Sequence, residues 1–163
     1  MTIRTPRRPS HPDAGTQPYF VTTRTANSCA LFRGPVASLA QEALLRLRER
    51  YGFSLMAYVF MPDHAHLVIV NAPGYSISQT MRIVKGAIAR AVNQSLGRTG
   101  PVWQDGFYDR VPRTVDDLNA FIEYVHDNPV RAGLSVSAAG YQWSSALDGS
   151  LTDYRRYFEA VRE

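Results

Sequence analysis

Two kinds of periodicity divide the chain into secondary-structure elements. Runs of β-prone residues predict four strands, at residues 19–25, 53–60, 64–70 and 107–111. Apolar residues at helical spacing predict four helices, at residues 35–51, 76–96, 114–128 and 154–161. The bend between the second and third strands is too short for a parallel crossover, so these strands are expected to be antiparallel neighbours. This order predicts an α+β fold, a ferredoxin-like sandwich in which helices pack mainly on one face of a small antiparallel sheet.

The third predicted helix has clear signals at both ends. Thr114 is a good N-cap, and the carboxylates of Asp116 and Asp117 complement the positive end of the helix dipole. Pro129 disfavours helical geometry in the residue before it, which predicts that the helix ends near Asn128.

Two histidines on the third strand are the first candidates for chemistry. Residues of a strand alternate between faces, so His64 and His66 share one face, about 7 Å apart, while Ala65 points the other way toward a core. Imidazole is a common metal ligand, which makes this pair a candidate metal site. The alternative is a pair of partly buried histidines that hydrogen-bond to neighbouring backbone.

Tyr124 and Asn128 supply a second pair, four residues apart and therefore on one face of the third predicted helix. An amide oxygen can complete a site for a hard ion such as Mg²⁺ or Mn²⁺, and a phenol can act as a nucleophile. Spacing alone equally allows a core aromatic residue and a C-terminal helix cap. His126 is offset from this face and is expected on the surface.

Length, composition and charge predict the domain organisation, a binding partner and a cellular location. The 163 residues suit one domain, predicted at 19–163 behind a basic flexible arm at 1–18. The net charge of +4 comes almost wholly from arginine, with Lys85 the only lysine, and the guanidinium fork suits phosphate, which makes nucleic acid a plausible partner. Cys29 is the only cysteine, which excludes an internal disulfide. The sequence shows neither a membrane-spanning apolar run nor a signal peptide, so a cytoplasmic protein is expected.

Aromatic and basic residues interleave around the fourth strand. This pairing can stack unpaired bases and hold phosphates, although a hydrophobic edge with solvated arginines is the alternative. Arg131 is likewise a DNA contact or part of a structural pair. The candidate DNA-binding residues are Trp103, Tyr108, Arg110, Arg113 and Arg131.

Three motifs carry a family resemblance. The segments MPDHAHLV, VWQDGFYDR and DLNAFIEYVHDNPVRAGL resemble those of the REP-associated tyrosine transposases, a bacterial branch of the single-tyrosine HUH nucleases. The resemblance runs from about Tyr19 to Ser145, with a small Ala65 at the middle HUH position. It implies that His64, His66 and Asn128 hold a divalent metal, Mg²⁺ or Mn²⁺, and that Tyr124 is the catalytic nucleophile.

The resemblance also implies an activity. A protein of this kind is a metal-dependent single-stranded DNA endonuclease and strand transferase, which cleaves and rejoins DNA near REP-like hairpins through a 5′-phosphotyrosine intermediate. It is expected to act on DNA in the nucleoid, as a monomer whose own tyrosine reacts or, alternatively, as a dimer. Two other functions stay open: a hairpin-binding protein of the same fold without cleavage activity, and a hydrolase in which a histidine-bound metal activates water.

Overall fold

Four strands and four α-helices follow one another in the predicted order. The structure is a computed structural model and describes residues 17–161. The arm predicted at residues 1–18 lies outside this range up to residue 16, and Pro18 already belongs to the first strand. No helix between residues 17 and 161 is long and apolar enough to cross a membrane. The elements are β1 (Pro18–Arg24), α1 (Gly34–Tyr51), β2 (Ser54–Met61), β3 (His64–Val70), α2 (Ile77–Leu96), β4 (Tyr108–Arg110), α3 (Val115–Arg131) and α4 (Tyr154–Val161).

The four strands form one antiparallel sheet in the order β2-β3-β1-β4. β3 pairs with β2 on one side and with β1 on the other, and β1 pairs in turn with β4. This order confirms the ferredoxin-like α+β prediction. The β1–β3 register sets Thr22 opposite His66 and Arg24 opposite His64.

Helices cover both faces of the sheet. The two long helices α1 and α2 pack on one face, against residues such as Val21 and Leu67. The shorter α3 and α4 pack on the opposite face, against residues such as Phe20 and Val68. Prediction placed helices mainly on one face, but β2 and β3 carry apolar residues on both of their faces, so both need cover.

A segment after α3 covers the outer edge of β2. The Trp143 carbonyl accepts from the Phe60 N–H, the Ser145 N–H donates to the Tyr58 carbonyl, and the Tyr141 hydroxyl donates to the Phe60 carbonyl. Tyr141 and Trp143 thus pack at the edge of the core. Strand β2 therefore leaves few backbone groups for pairing with another chain.

Helix α3 begins where predicted and ends one turn later. The Thr114 hydroxyl accepts from the Asp117 N–H, as a capping residue should. At the other end α3 continues through Pro129 to Arg131, and Ala132 is the C-cap, with its N–H bonded to the Asn128 carbonyl. The predicted end near Asn128 is wrong because proline, which lacks an N–H, is accommodated in the last turn of the helix, where it is buried.

We predict that Ser145→Ala lowers the free energy of unfolding by about 1–3 kcal/mol, because the buried Tyr58 N–H donates to the Ser145 hydroxyl and would lose its partner. Urea denaturation measures this loss. Ser95→Ala on the exposed end of α2 is the matched control and should leave stability at or slightly above that of the wild type. Equal stability of the two variants would contradict the prediction.

Candidate active site

The two histidines of β3 stand side by side on the α3 face of the sheet. Their ring centroids are 4.8 Å apart and the rings are nearly perpendicular. Ala65 between them is 1% exposed and belongs to the core on the opposite face. The shared face predicted from strand alternation is therefore what the structure shows.

Each imidazole is held through its Nδ1 atom by a neighbouring side chain. His64 Nδ1 lies 2.6 Å from Asp63 Oδ1, and His66 Nδ1 lies 2.8 Å from Thr22 Oγ1. A carboxylate can only accept, so Nδ1 of His64 donates, and in the neutral ring Nε2 carries the lone pair. In the same tautomer, Nδ1 of His66 donates to the Thr22 hydroxyl. Both Nε2 atoms are then available to a metal, with Asp63 and Thr22 fixing the ring orientations.

Burial keeps His66 in the form that binds metal. It lowers the pKa of His66 to about 3, and the positive charges of His64 and Arg24 act in the same direction. Burial alone would raise the pKa of Asp63, but the hydrogen bond and charge of His64 outweigh it, and the pKa of Asp63 is lowered. At neutral pH the site thus combines a neutral His66 with an ionised Asp63.

Tyr124 stands at the open side of this pair. Its ring packs edge-on against His66, with a centroid distance of 5.4 Å, and against Phe20 at 5.8 Å. The Arg131 guanidinium lies 5.5 Å from the Tyr124 ring centroid, a cation–π distance. Tyr124 is 39% exposed, so a DNA strand can approach it from solvent.

Asn128 follows Tyr124 by one helical turn and is 9% exposed. It is not the C-cap, since that position belongs to Ala132. Its carboxamide forms no hydrogen bond with any residue between 17 and 161. Its polar atoms are not fully enclosed, so the carboxamide is open to a ligand.

The donor set fits a divalent metal ion. Within the described part of the chain, no three His, Cys, Asp or Glu side chains cluster for metal binding, which favours an amide as the third protein ligand. Two imidazole nitrogens and one amide oxygen, from His64, His66 and Asn128, suit Mn²⁺ or Mg²⁺ with positions left for substrate.

Four of the five predicted DNA-binding residues are exposed. Tyr108 and Arg110 lie opposite Thr22 and Phe20 in the sheet, so they share the histidine face, and both are exposed. Arg131 reaches the site through its contact with Tyr124. Arg113 is exposed just before α3, and its backbone N–H donates to Asp117.

The structure does not bring Trp103 to this surface. It is 8% exposed, its ring lies 4.9 Å from that of Phe32 in the opposite core, and its indole N–H donates to the Lys85 carbonyl. An indole buried to this depth has little ring surface for stacking on a base, which favours a structural role for Trp103.

Three residues of the site were missed from the sequence. Thr22 and Asp63 orient the imidazoles, and Arg24 stands on the same face of β1 as Thr22. Strand alternation could have found Thr22 and Arg24, but only with the β1–β3 register known. Asp63 lies in the bend just before His64, where the sequence gives no local signal that its carboxylate orients the imidazole.

His126 lies on the far side of α3, away from Tyr124. It is half-buried, with Nε2 2.8 Å from Ser145 Oγ, and burial lowers its pKa. The expected surface position is wrong because the segment after α3 folds back over it. Together they line a cleft of about 790 Å³ between α3 and the residues around Thr152.

Comparison with known proteins points to the family that the sequence motifs resemble. The family model described as Transposase IS200 like matches residues 17–128, more than half of the chain. A REP-associated tyrosine transposase of Escherichia coli K12 is 20% identical over 128 residues, 78% of this chain and 74% of that protein. A Haemophilus influenzae protein provisionally given the same name is 27% identical over 107 residues, 60% of this chain and 61% of that relative's length.

Two solved structures share the fold. A REP-associated tyrosine transposase bound to a REP hairpin superposes with a TM-score of 0.71 at 18% identity, covering 85% of this chain and 82% of that one. A protein of Deinococcus radiodurans, provisionally described as a transposase, superposes with a TM-score of 0.53 at 20% identity, covering 75% of this chain and 97% of that one. The chain belongs to the IS200-like transposase family, and its resemblance to the REP-associated tyrosine transposases is confirmed.

We predict that Asp63→Asn weakens Mn²⁺ binding about tenfold or more, because an amide holds the His64 ring less firmly and lowers its basicity. Calorimetric titration of the metal into the protein measures the change. Asp116→Asn, on the exposed first turn of α3, is the control and should bind Mn²⁺ as the wild type does. Indistinguishable affinities in the two variants would remove Asp63 from the site.

Proposed function

We propose that this chain is a divalent-metal-dependent enzyme that cleaves and rejoins single-stranded DNA beside REP-like hairpins, with Tyr124 as nucleophile. The observation that carries the proposal is the packing of the exposed Tyr124 ring 5.4 Å from His66, which stands beside His64. These two histidines, with Asn128 one turn along α3 from Tyr124, are the proposed metal ligands. Membership of a transposase family supports DNA as the substrate. The hairpin bound by the structural relative supports the type of DNA.

In the proposed reaction the Tyr124 hydroxyl attacks the scissile phosphorus. The new bond joins phosphorus to the tyrosine oxygen, the bond to the 3′ oxygen breaks, and the phenolic proton passes to solvent while the leaving oxygen becomes a 3′-hydroxyl. A 5′-phosphotyrosine results. A divalent ion, when bound, polarises the phosphate oxygens and offsets their growing negative charge. Attack by another strand's 3′-hydroxyl reverses the step, so rejoining needs no nucleotide cofactor.

The remaining residues of the site bind and orient. His64, His66 and Asn128 would hold the ion, with Asp63 and Thr22 fixing the imidazoles. We assign Arg110, Arg113 and Arg131 to phosphate contacts and Tyr108 to base stacking, which is worth about 1–3 kcal/mol per stacked base. The exposed positions of Tyr108 and Arg110 on the histidine face support this assignment.

We further propose that the protein acts as a monomer, in the cytoplasm on nucleoid DNA, with its own tyrosine in cis. Tyr124 contacts His66 of the same chain, so the site does not need a second copy to supply the nucleophile. Both sheet edges also discourage pairing, since residues 141–145 cover β2, and β4 has three residues, two of them charged.

Tyr124→Phe should abolish the covalent protein–DNA adduct while leaving DNA affinity within a few-fold, because the hydroxyl forms the bond and the ring supplies the packing. Denaturing electrophoresis with labelled hairpin DNA and Mn²⁺ detects the adduct. Tyr108→Phe is the control, with adduct formation retained.

The same assay separates the proposed function from its rivals. A wild-type protein that binds the DNA without altering it would be a hairpin-binding protein, and cleavage without an adduct would indicate a hydrolase. An adduct that persists in Tyr124→Phe and disappears in Tyr108→Phe would move the nucleophile to Tyr108.

Asn128→Ala should lose adduct formation at low Mn²⁺ and recover part of it at high Mn²⁺, because mass action compensates for a missing ligand. Asn128→Asp should keep the activity. The melting temperature should hardly fall in Asn128→Ala, since the carboxamide forms no hydrogen bond within residues 17–161. If Asn128→Ala keeps full activity per folded molecule at low Mn²⁺, Asn128 is not the third ligand, and Gln104 or Asp127 takes its place.

A further inference from the structure

We propose that Arg24 binds the scissile phosphate from the β1 side of the site, opposite Tyr124, and so couples DNA binding to metal binding. The proposal rests on the proposed function and adds a catalytic residue to it. Its basis is the juxtaposition of an unpaired guanidinium with the histidine pair.

Arg24 is placed beside the histidines by strand geometry. It lies directly opposite His64 in the antiparallel β1–β3 ladder, where facing Cβ atoms are about 4.5–5.5 Å apart. Two residues earlier on the same face, Thr22 is hydrogen-bonded to His66. Because side chains two apart share a face, Arg24 projects on the side that carries both imidazoles.

The backbone around Arg24 is fixed, so its side chain starts from a defined position. The Arg24 carbonyl accepts from the Gln104 N–H at 2.9 Å. The next residue, Thr25, donates to the Asp63 carbonyl through its backbone N–H at 2.9 Å and through its hydroxyl at 3.0 Å. The end of β1 is thereby tied to the bend that precedes His64.

Arg24 forms no salt bridge with Asp63, although its charge helps to lower the pKa of that carboxyl. Its guanidinium forms no ion pair or hydrogen bond with residues 17–161, and it is exposed. The nearby Asp63 carboxylate is already bonded to His64. Elsewhere, by contrast, Arg46 pairs with Glu42 and Arg48 with Asp153.

The positive charge of Arg24 beside the proposed metal site opposes metal binding unless an anion contacts both cations. A guanidinium and a divalent ion repel each other. A phosphate that contacts both adds two attractions at shorter distances, which outweigh this repulsion. The arginine fork matches two phosphate oxygens, which would leave the tyrosine side of the phosphorus open to attack. DNA and metal should therefore strengthen each other's binding, by equal factors.

The test uses Tyr124→Phe protein, which cannot form the adduct, and compares Arg24→Gln, Arg24→Lys and a control, Arg90→Gln. Arg90 is exposed on α2, which covers the opposite face of the sheet, and its loss changes the net charge equally. Three affinities are measured for each: Mn²⁺ without DNA, hairpin DNA in EDTA, and Mn²⁺ with saturating hairpin DNA. The probe is a labelled oligonucleotide with a REP hairpin and a single-stranded flank.

Arg24→Gln should bind Mn²⁺ about three- to tenfold more tightly without DNA, since a repulsive charge is gone, and DNA about tenfold more weakly. The factor by which saturating hairpin DNA increases the Mn²⁺ affinity should fall toward one. Arg24→Lys keeps the charge and should match the parent in Mn²⁺ affinity without DNA. With Tyr124 restored, adduct formation should fall by about 100-fold in Arg24→Gln and less in Arg24→Lys.

Arg24→Gln that matches Arg90→Gln in all three affinities would overturn the proposal, as would weaker Mn²⁺ binding without DNA. A wild-type protein that binds no Mn²⁺ overturns it together with the metal site. If the wild type forms no adduct, the proposed function fails, while the three affinities still decide whether Arg24 couples DNA to metal.

Discussion

The pairing of β1 with β3 is the constraint on which the site depends. Seven residue pairs, from Pro18 opposite Val70 to Arg24 opposite His64, set the positions of both imidazoles against β1. A slip of one residue would turn every side chain of one strand to the other face. Both strands bury apolar residues on both sides, so such a slip would expose core on one face and bury Arg24 on the other. The register that stabilises the core therefore also builds the site.

The position of Tyr124 depends on aromatic packing between sheet and helix. Phe20 of β1 stacks on Phe121 at 5.0 Å and on His66 at 5.4 Å, and its ring edge meets Tyr124 at 5.8 Å. One phenylalanine thus contacts a proposed ligand, the proposed nucleophile and the helix that carries it. Aromatic contacts allow small rotations that a hydrogen bond to the phenol would resist. The Tyr124 hydroxyl forms no hydrogen bond with residues 17–161 and is therefore available to a substrate.

Sequence periodicity predicted the order of the four strands and four α-helices, because each is defined by neighbours two to four residues apart, although it placed the end of α3 a turn too early. The same local rules put His64 beside His66 and Tyr124 beside Asn128. Local sequence patterns could not predict features that depend on contacts between distant segments. Trp103 lies among aromatic residues and arginines in sequence but inserts toward Phe32, and His126 is covered by a segment that returns after α3. The role of Arg24 required the strand register, which no local pattern specifies.

One face of the sheet carries the larger apolar core, and the other carries the candidate active site. On the α1–α2 face the described core is almost wholly apolar, and Lys85 there anchors the segment before β4 by donating to the carbonyls of Gln104 and Gly106. On the α3 face, apolar packing gives way to polar groups at the end of the sheet that carries His64. Polar side chains at a strand end can remain partly solvated while their backbones stay in the ladder, so desolvation costs less there than in mid-sheet. A site at this position can thus keep a buried His66 neutral beside an exposed Tyr124.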